Sequence, residues 1–391
     1  MFFVDEPYIS DFFKQTLVDH HIPVVNTASA KKLNLLPGTH LISEEQVVSM
    51  MRESDAHLFY STSENAIGWI AQNLPFSSLP KKLDQFKNKA RFRQLTQTMF
   101  PNFYYKELSL DDLKSFQIDG LPLPFIIKPN VGFFSMGVHK VSTLDEWQQT
   151  VDAIHAEIEH MQGLYPAEVL GTGTFIIEQC IEGDEFAVDA YFDSTGEPVI
   201  LNILHHTFSS DNDVSDRVYT TSKAIIETNL KEFTEFVGKL GQLTATKNFP
   251  VHIELRRDVQ GVILPIEVNP MRFGGWCSTP DLAYAAYGLN PYLYYLKQQK
   301  PNWAELLHGK EGKLFSVVVL DNSTGKKADE IASFDFEKLL ACFEKPLELR
   351  KIDYHKYPVF AFLFVETRED NFAELEYILK SDLDEFVTLR K

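Results

Sequence analysis

Residues 251–269 read VHIELRRDVQGVILPIEVN and hold two carboxylates, Glu254 and Glu267, with the amide of Asn269 close behind. Val251, Ile253 and Leu255 alternate with His252, Glu254 and Arg256. Beyond the turn Asp258-Val259-Gln260-Gly261, Val262, Leu264, Ile266 and Val268 alternate with Ile263, Pro265, Glu267 and Asn269. A period of two places each set on one face of a strand. A four-residue loop pairs Arg257 with Val262, Leu255 with Leu264 and Ile253 with Ile266, an apolar face. Glu254 then pairs with Pro265, and Glu267 is its diagonal neighbour on the polar face, at roughly 7–8 Å between Cα atoms. Two carboxylates and an amide oxygen form a hard-oxygen set suited to Mg²⁺, which keeps waters and binds nucleotide phosphates. Taken alone, the pattern is better described as the solvated face of a half-buried hairpin.

Two further segments bear on that choice. In Pro124–Val138, PFIIKPNVGFFSMGV, an apolar strand ends at Lys128 and enters a loop with Gly132, Ser135 and Gly137. Free backbone N–H groups beside a lysine suit a polyphosphate. It is not a P-loop, because the lysine precedes the loop and no GK[ST] follows. In Phe175–Phe192, FIIEQCIEGDEFAVDAYF, two apolar strands flank Glu182-Gly183-Asp184, which predicts a hairpin. Glu178 and Glu185 there could bond an adenine amino group and ribose hydroxyls, with Glu185 exposed when no ligand is bound; the alternative is a surface hairpin with an acidic turn.

These residues need a frame. The chain has 391 residues, 44% apolar and 24% charged, with net charge −18. That is a globular composition and excludes a disordered, collagen-like or coiled-coil chain. The acidic balance argues against a nucleic-acid partner. Cys180, Cys277 and Cys342 are too few and too scattered for a disulfide framework or a zinc site, so a reducing compartment is expected. MFFVDEPY lacks a basic segment and is not expected to be a signal peptide. No apolar run is long enough for a membrane helix. A cytoplasmic protein is the expectation.

Residues 1–80 read as a small α/β unit. Strands are predicted at Phe2–Val4, Pro23–Val25 and His57–Tyr60, and helices at Tyr8–His20, from a Ser43 capping box through Met51, and at Ala66–Ala71. Alternation of this kind favours a parallel sheet. Pro75, Pro80 and Lys81-Lys82 suggest a boundary at 75–86. Residues 87–300 read as α+β with long strands and hairpins. The tail has strand candidates at Leu314–Leu320 and Val359–Val365, with helices around Phe336–Phe343 and Phe372–Leu379. His205–Lys223 reads as a long polar loop without regular structure; such loops tend to be functional, and an ordinary mobile surface loop fits the segment equally well.

In this order and spacing, the three segments resemble the ATP-grasp superfamily of carboxylate–amine or carboxylate–thiol ligases, over roughly 85–300. The resemblance implies an N-terminal Rossmann-like α/β domain at 1–84, nucleotide-binding α+β lobes at 85–300 and a small α+β region at 301–391. It implies Lys89 and Lys128 on the phosphates and Ser135 in the loop above them. It implies Glu178, Gln179 and Ile181 at the adenine, Glu185 at the ribose, and Glu254, Glu267 and Asn269 on Mg²⁺ or Mn²⁺. Phe133 and Phe134 stand where the family often has glycine. Arg272 follows Asn269 one residue later than in many relatives, and it is placed with Lys128 among the catalytic groups. His206, Arg217 and Lys223 are candidates for substrate contact.

The implied reaction transfers the γ-phosphate of ATP to a carboxylate, giving an acyl phosphate that an amine or thiol attacks. Its partners are a small carboxylic acid and an amine, with no nucleic acid and no membrane, and a homodimer is left open. The alternatives are a kinase on the same scaffold and a nucleotide-binding protein without turnover.

Overall fold

The first four strands are short and parallel: β1 (Phe2–Phe3), β2 (Val24–Val25), β3 (Leu41–Ile42) and β4 (Tyr60–Ser61), in the order β3-β2-β1-β4. The computed structural model of the chain describes every residue except 132–136, 162–172, 211–212, 214 and 391, and omits the side chains of 159–161. The expected α/β unit is present. Ser43 Oγ accepts from the Gln46 N–H at 3.2 Å and the Gln46 side chain accepts from Ser43 N–H at 2.7 Å, so the capping box opens the helix Glu44–Glu53. The two-residue strand β3 carries too little pattern to be read from sequence. Residues 75–86 are not a linker throughout. A helix spans Leu79–Lys87, with Pro80 in its first turn, where a missing N–H breaks no intrahelical bond.

A second sheet is antiparallel: β5 (Tyr105–Ser109), β6 (Phe125–Pro129), β7 (His139–Val141) and β8 (Thr174–Gln179), ordered β5-β8-β6-β7. Phe125 and Ile127 point into a core with Trp147, Val151 and Ile154 of the helix Glu146–Met161. Strand alternation sends Lys128 to the opposite face.

The remaining strands are β9 (Asp184–Phe192), β10 (Pro198–Thr207), β11 (Val218–Ser222), β12 (Phe249–Arg257), β13 (Ile263–Pro270), β14 (Lys313–Asp321), β15 (Ile331–Phe334), β16 (Pro346–Lys351), β17 (Val359–Arg368) and β18 (Val387–Leu389). Eight of them form one sheet, β13-β12-β9-β10-β11-β14-β17-β16, and β15 pairs with β18. The sheet passes residue 300 without a break, because β11 pairs with β14. The helix Lys223–Thr244 buries Ile226, Phe233, Val237 and Leu240 against it. Among the described residues no helix is long and apolar enough to cross a membrane.

Three sequence expectations change here. First, 175–192 is not a hairpin. β8 and β9 lie in different sheets, and the segment between them crosses from one to the other. Gly183 sits at φ +107°, and a Cβ there would come within 2.1 Å of the Arg257 carbonyl, so the crossing chain packs tightly on the end of β12.

Second, the β12–β13 register differs. Asp258 N–H bonds the Val262 carbonyl at 3.0 Å, closing a shorter turn with Gly261 at positive φ. Arg257 therefore faces Ile263 and Leu255 faces Pro265. A bulge absorbs Ile266, and Glu254 then faces Glu267 directly. Ile263, Pro265 and Val268 are buried on the core side, in place of the predicted Val262, Leu264 and Ile266.

Third, the loop predicted at 205–223 is narrower. His205, His206 and Thr207 pair with Thr220, Tyr219 and Val218, so β10 and β11 consume both ends, and Lys223 starts a helix.

Candidate functional site

The helix Lys89–Thr96 lies where the second and third sheets meet. Asn88 caps it, accepting from Arg91 N–H at 3.0 Å. Asn130, just beyond β6, clamps its first turn: its carbonyl accepts from Lys89 N–H at 3.1 Å and its Oδ1 from Ala90 N–H at 2.7 Å. Lys89 and Lys128 are thereby brought into one neighbourhood from segments 39 residues apart. Lys128 Nζ pairs with Glu178 Oε1 across β6 and β8, and Lys89 Nζ lies 3.1 Å from Glu267 Oε2 on β13.

The polar face of β12 and β13 stands opposite. Asn269 Nδ2 is 3.3 Å from Oε1 of both Glu254 and Glu267, so the amide bridges the two carboxylates. Turned over, it presents its oxygen to the same point. Burial and the adjacent Glu267 push the Glu254 carboxyl well above the usual carboxylate range. Burial would also raise Glu267, but Lys89, then Lys128 and Lys87, outweigh it and hold that carboxyl well below the usual range. One carboxylate is thus charged and its neighbour resists charging, a conflict that a divalent cation relieves. Among the described residues no group of three or more His, Cys, Asp or Glu side chains is gathered for a metal. The set here is two carboxylates and an amide, which fits a hard cation that keeps waters.

Glu178 is 3% exposed and bonded on both oxygens, by Lys128 and by Arg93 Nε at 2.7 Å. Burial would raise its carboxyl; Arg93 and Lys128 overcome that and lower it to about 2. Burial pulls the Lys128 ammonium down, only partly opposed by Glu178.

At the crossover, Gln179 N–H donates to the Tyr104 carbonyl at 3.0 Å and the Ile181 carbonyl accepts from Arg256 Nη1 at 2.6 Å. Glu185 is not exposed as expected. It is 8% accessible, held by His206 Nδ1 at 2.8 Å and by Arg256 Nε at 2.9 Å. β10 and β12 flank β9 and each supplies one partner, which is why it is buried.

Arg272 follows β13 on a loop with Met271 at φ +62°. Its Nη1 donates to the Phe273 carbonyl at 2.9 Å, and its Nη2 lies 3.4 Å from Glu64 Oε1, which the first unit contributes. Glu64 also pairs with Lys87. Asp189 supports the same loop. It accepts from Gly274 N–H at 3.0 Å, Thr279 Oγ1 at 2.5 Å and His252 Nδ1 at 2.7 Å. His252 Nε2 lies 3.8 Å from Glu254 Oε1.

The structure therefore groups Lys89, Lys128, Glu178, Glu254, Glu267 and Asn269, joins His206 to Glu185, and places Arg272 at the first unit. Arg217 and Lys223 are engaged elsewhere. Arg217 bonds Asp321, Ser323 and the carbonyls of Ile378 and Ser381. Lys223 pairs with Glu227 and Glu311 at the start of its helix. Ser135 lies outside the described residues. Sequence reasoning missed Arg93, His252 and Arg256, although helix and strand periodicity put them beside Lys89 and Glu254. Glu64 and Asp189 gave no signal, since only tertiary contacts bring them in.

Residues 121–280 match the ATP-grasp domain family. No curated protein matches the sequence significantly. Among solved structures, the L-amino acid ligase from Bacillus licheniformis aligns with TM-score 0.71 at 17% identity, covering 100% of this chain and 98% of that one. The N5-carboxyaminoimidazole ribonucleotide synthetase from Thermotoga maritima aligns with TM-score 0.62 at 14% identity, over 99% and 98%. Biotin carboxylase from Campylobacter jejuni aligns with TM-score 0.62 at 10% identity, over 100% and 91%. The chain has the ATP-grasp fold, and the segment that carries Lys128, Glu178, Glu254, Glu267 and Arg272 is an ATP-grasp domain.

Proposed function

We propose that the protein is an ATP-dependent, ADP-forming ligase that joins a carboxylic acid to an amine. The observation that carries this reading is the pairing of Lys89 with Glu267, which faces Glu254, while Lys128 helps to hold the same Glu267 carboxyl low. Cations that grip phosphate and oxygens that hold Mg²⁺ or Mn²⁺ are thereby set around one space. Three parts share the work: 1–84 closes the acid side through Glu64, 85–300 holds nucleotide, and 301–391 extends the large sheet.

Glu178, Gln179 and Ile181 take the adenine and Glu185 the ribose. Lys89 and Lys128 bind phosphate oxygens and stabilise charge on the phosphoryl group in transit. Glu254, Glu267 and Asn269 hold the metal, which when bound offsets the repulsion between phosphate and carboxylate. Arg272 grips the acid, since a guanidinium matches a carboxylate bidentately. An oxygen of the acid attacks the γ-phosphorus and the bond to ADP breaks. The amine nitrogen then attacks the acyl carbon, phosphate leaves, and the nitrogen gives up a proton. No side-chain nucleophile is needed.

The likeness to an L-amino acid ligase makes L-amino acids the first substrates to try. An ADP-release screen over amino acids and small carboxylic acids, alone and in pairs with Mg²⁺, tests the proposal. Release that needs one acid and one amine together is expected. ADP release by no pair, from protein that binds ATP, would count against ligase activity.

A further inference from the structure

Arg93 is buried in the helix Lys89–Thr96, and each nitrogen of its guanidinium has an acceptor. Nε donates to Glu178 Oε2 at 2.7 Å on the second sheet. Nη1 donates to the Pro265 carbonyl at 2.6 Å and Nη2 to the Ile266 carbonyl at 3.2 Å on the third. The ring of Phe103 covers the group, with its centroid 4.5 Å from Cζ. A planar fork with fixed donors meets such a set of acceptors; an ammonium does not.

Pro265 and Ile266 are the residues of the bulge. Leu255 faces Pro265 and Glu254 faces Glu267, so Ile266 is the residue without an opposite. At a bulge the ladder is interrupted and its backbone groups need partners from elsewhere. Here the carbonyls turn to Arg93. With this turn and no bulge, Glu254 would face Ile266, and Glu267 would move to the core side, because a slip of one residue exchanges the faces. The same guanidinium shares Glu178 with Lys128, so three cations (Lys89, Arg93, Lys128) stand against two carboxylates, Glu178 and Glu267. That leaves the phosphate side positive.

We infer that Arg93 is a positioning residue that fixes the β13 bulge and thereby holds Glu267 opposite Glu254 for the metal. The inference rests on the reading of that pair as the metal site. In this role Arg93 acts on the metal through the backbone that carries Glu267, by its bonds to the Pro265 and Ile266 carbonyls.

Calorimetric ATP binding to the full chain, with and without Mn²⁺, tests it on the unaltered protein and on Arg93→Lys. Lysine keeps the charge beside Glu178 but cannot serve both carbonyls. Metal-free ATP affinity should stay within about threefold, while the gain in affinity from Mn²⁺ should fall by about tenfold to a hundredfold, the usual effect of losing a group that orients a ligand. A folded Arg93→Lys protein with an unreduced Mn²⁺ gain overturns the inference. Should Arg93→Lys not fold, the readout moves to Arg93→Lys combined with deletion of Ile266. That removes the residue the fork restrains and leaves Glu254 facing Glu267. A folded double variant with a restored Mn²⁺ gain supports the inference; one that is unfolded or has no gain overturns it. Absence of any Mn²⁺ effect in the unaltered protein would instead remove the metal reading, and the inference with it.

Discussion

Glu254 faces Glu267 across the β12–β13 hairpin, with Asn269 Nδ2 3.3 Å from a carboxylate oxygen of each. Glu267 is also the partner of Lys89. Glu267→Gln keeps the shape and the amide bridge but removes the charge. Turnover should fall by on the order of 10²-fold or more, as when one preorganised electrostatic group is lost. Circular dichroism and ADP release on the same preparation check this; near-normal turnover by folded protein would take Glu267 out of the metal set.

Glu185 has two buried partners, so its removal should be felt without nucleotide. Glu185→Ala leaves His206 and Arg256 without their carboxylate and should cost about 1–3 kcal/mol of apo stability, the penalty for orphaned buried groups. ATP affinity per folded molecule should fall as well if the ribose uses this carboxylate. Denaturant melts and calorimetry separate the two effects.

Arg272 depends on Glu64, which lies on the far side of the first unit's boundary. Glu64→Gln should loosen Arg272 and Lys87 and raise the KM for the acid by roughly tenfold, with a smaller change in the KM for ATP, about one lost charge-assisted contact. Arg272→Lys should lower kcat while ATP still binds, because a point charge does not reproduce the fork. Steady-state kinetics against each substrate in turn distinguish these patterns. Equal effects on both KM values would make the contact a general domain brace.

Asp5 supplies a pH signature. It is 4% exposed, and burial pushes its carboxyl up to about 6 against the opposing bonds from Ser29 and Ser61. The folded state then holds the proton more tightly than the unfolded one, so stability falls as pH rises between the two values, and the loss is complete above the upper one. Asn imitates the protonated acid. Asp5→Asn should therefore raise stability at about pH 7.5, by up to about 3 kcal/mol, and have little effect near about pH 4. Thermal melts at the two pH values check the sign.

Lys128, Glu254, Glu267 and Asn269 were legible because strand periodicity and neighbours mark each of them, whereas Lys89 was legible only through the family resemblance. Three of the first sheet's four strands were legible from alternating short elements and one capping box; the two-residue β3 was not. The facing of Glu254 and Glu267 was not, since it depends on a turn one residue shorter than assumed and on a bulge. Both are settled by Gly261, Pro265 and Arg93, and no local pattern announces a bulge. The crossing from β8 to β9 was hidden for a related reason: two apolar strands around an acidic turn look alike whether they pair or part. Arg217 has the composition of a ligand contact, yet it is spent on Asp321 and the carbonyls near Ile378, contacts that long-range packing alone decides.

The central claim is the passage of the acid through an acyl phosphate, and hydroxylamine trapping addresses it most directly. The protein is incubated with ATP, Mg²⁺, hydroxylamine and the acid that best stimulates ADP release, with no amine acceptor. The expected result is a hydroxamate of that acid formed one for one with ADP and phosphate, and lost in Glu267→Gln. Release of AMP and pyrophosphate, or a stable phosphorylated product with no hydroxamate, would contradict it.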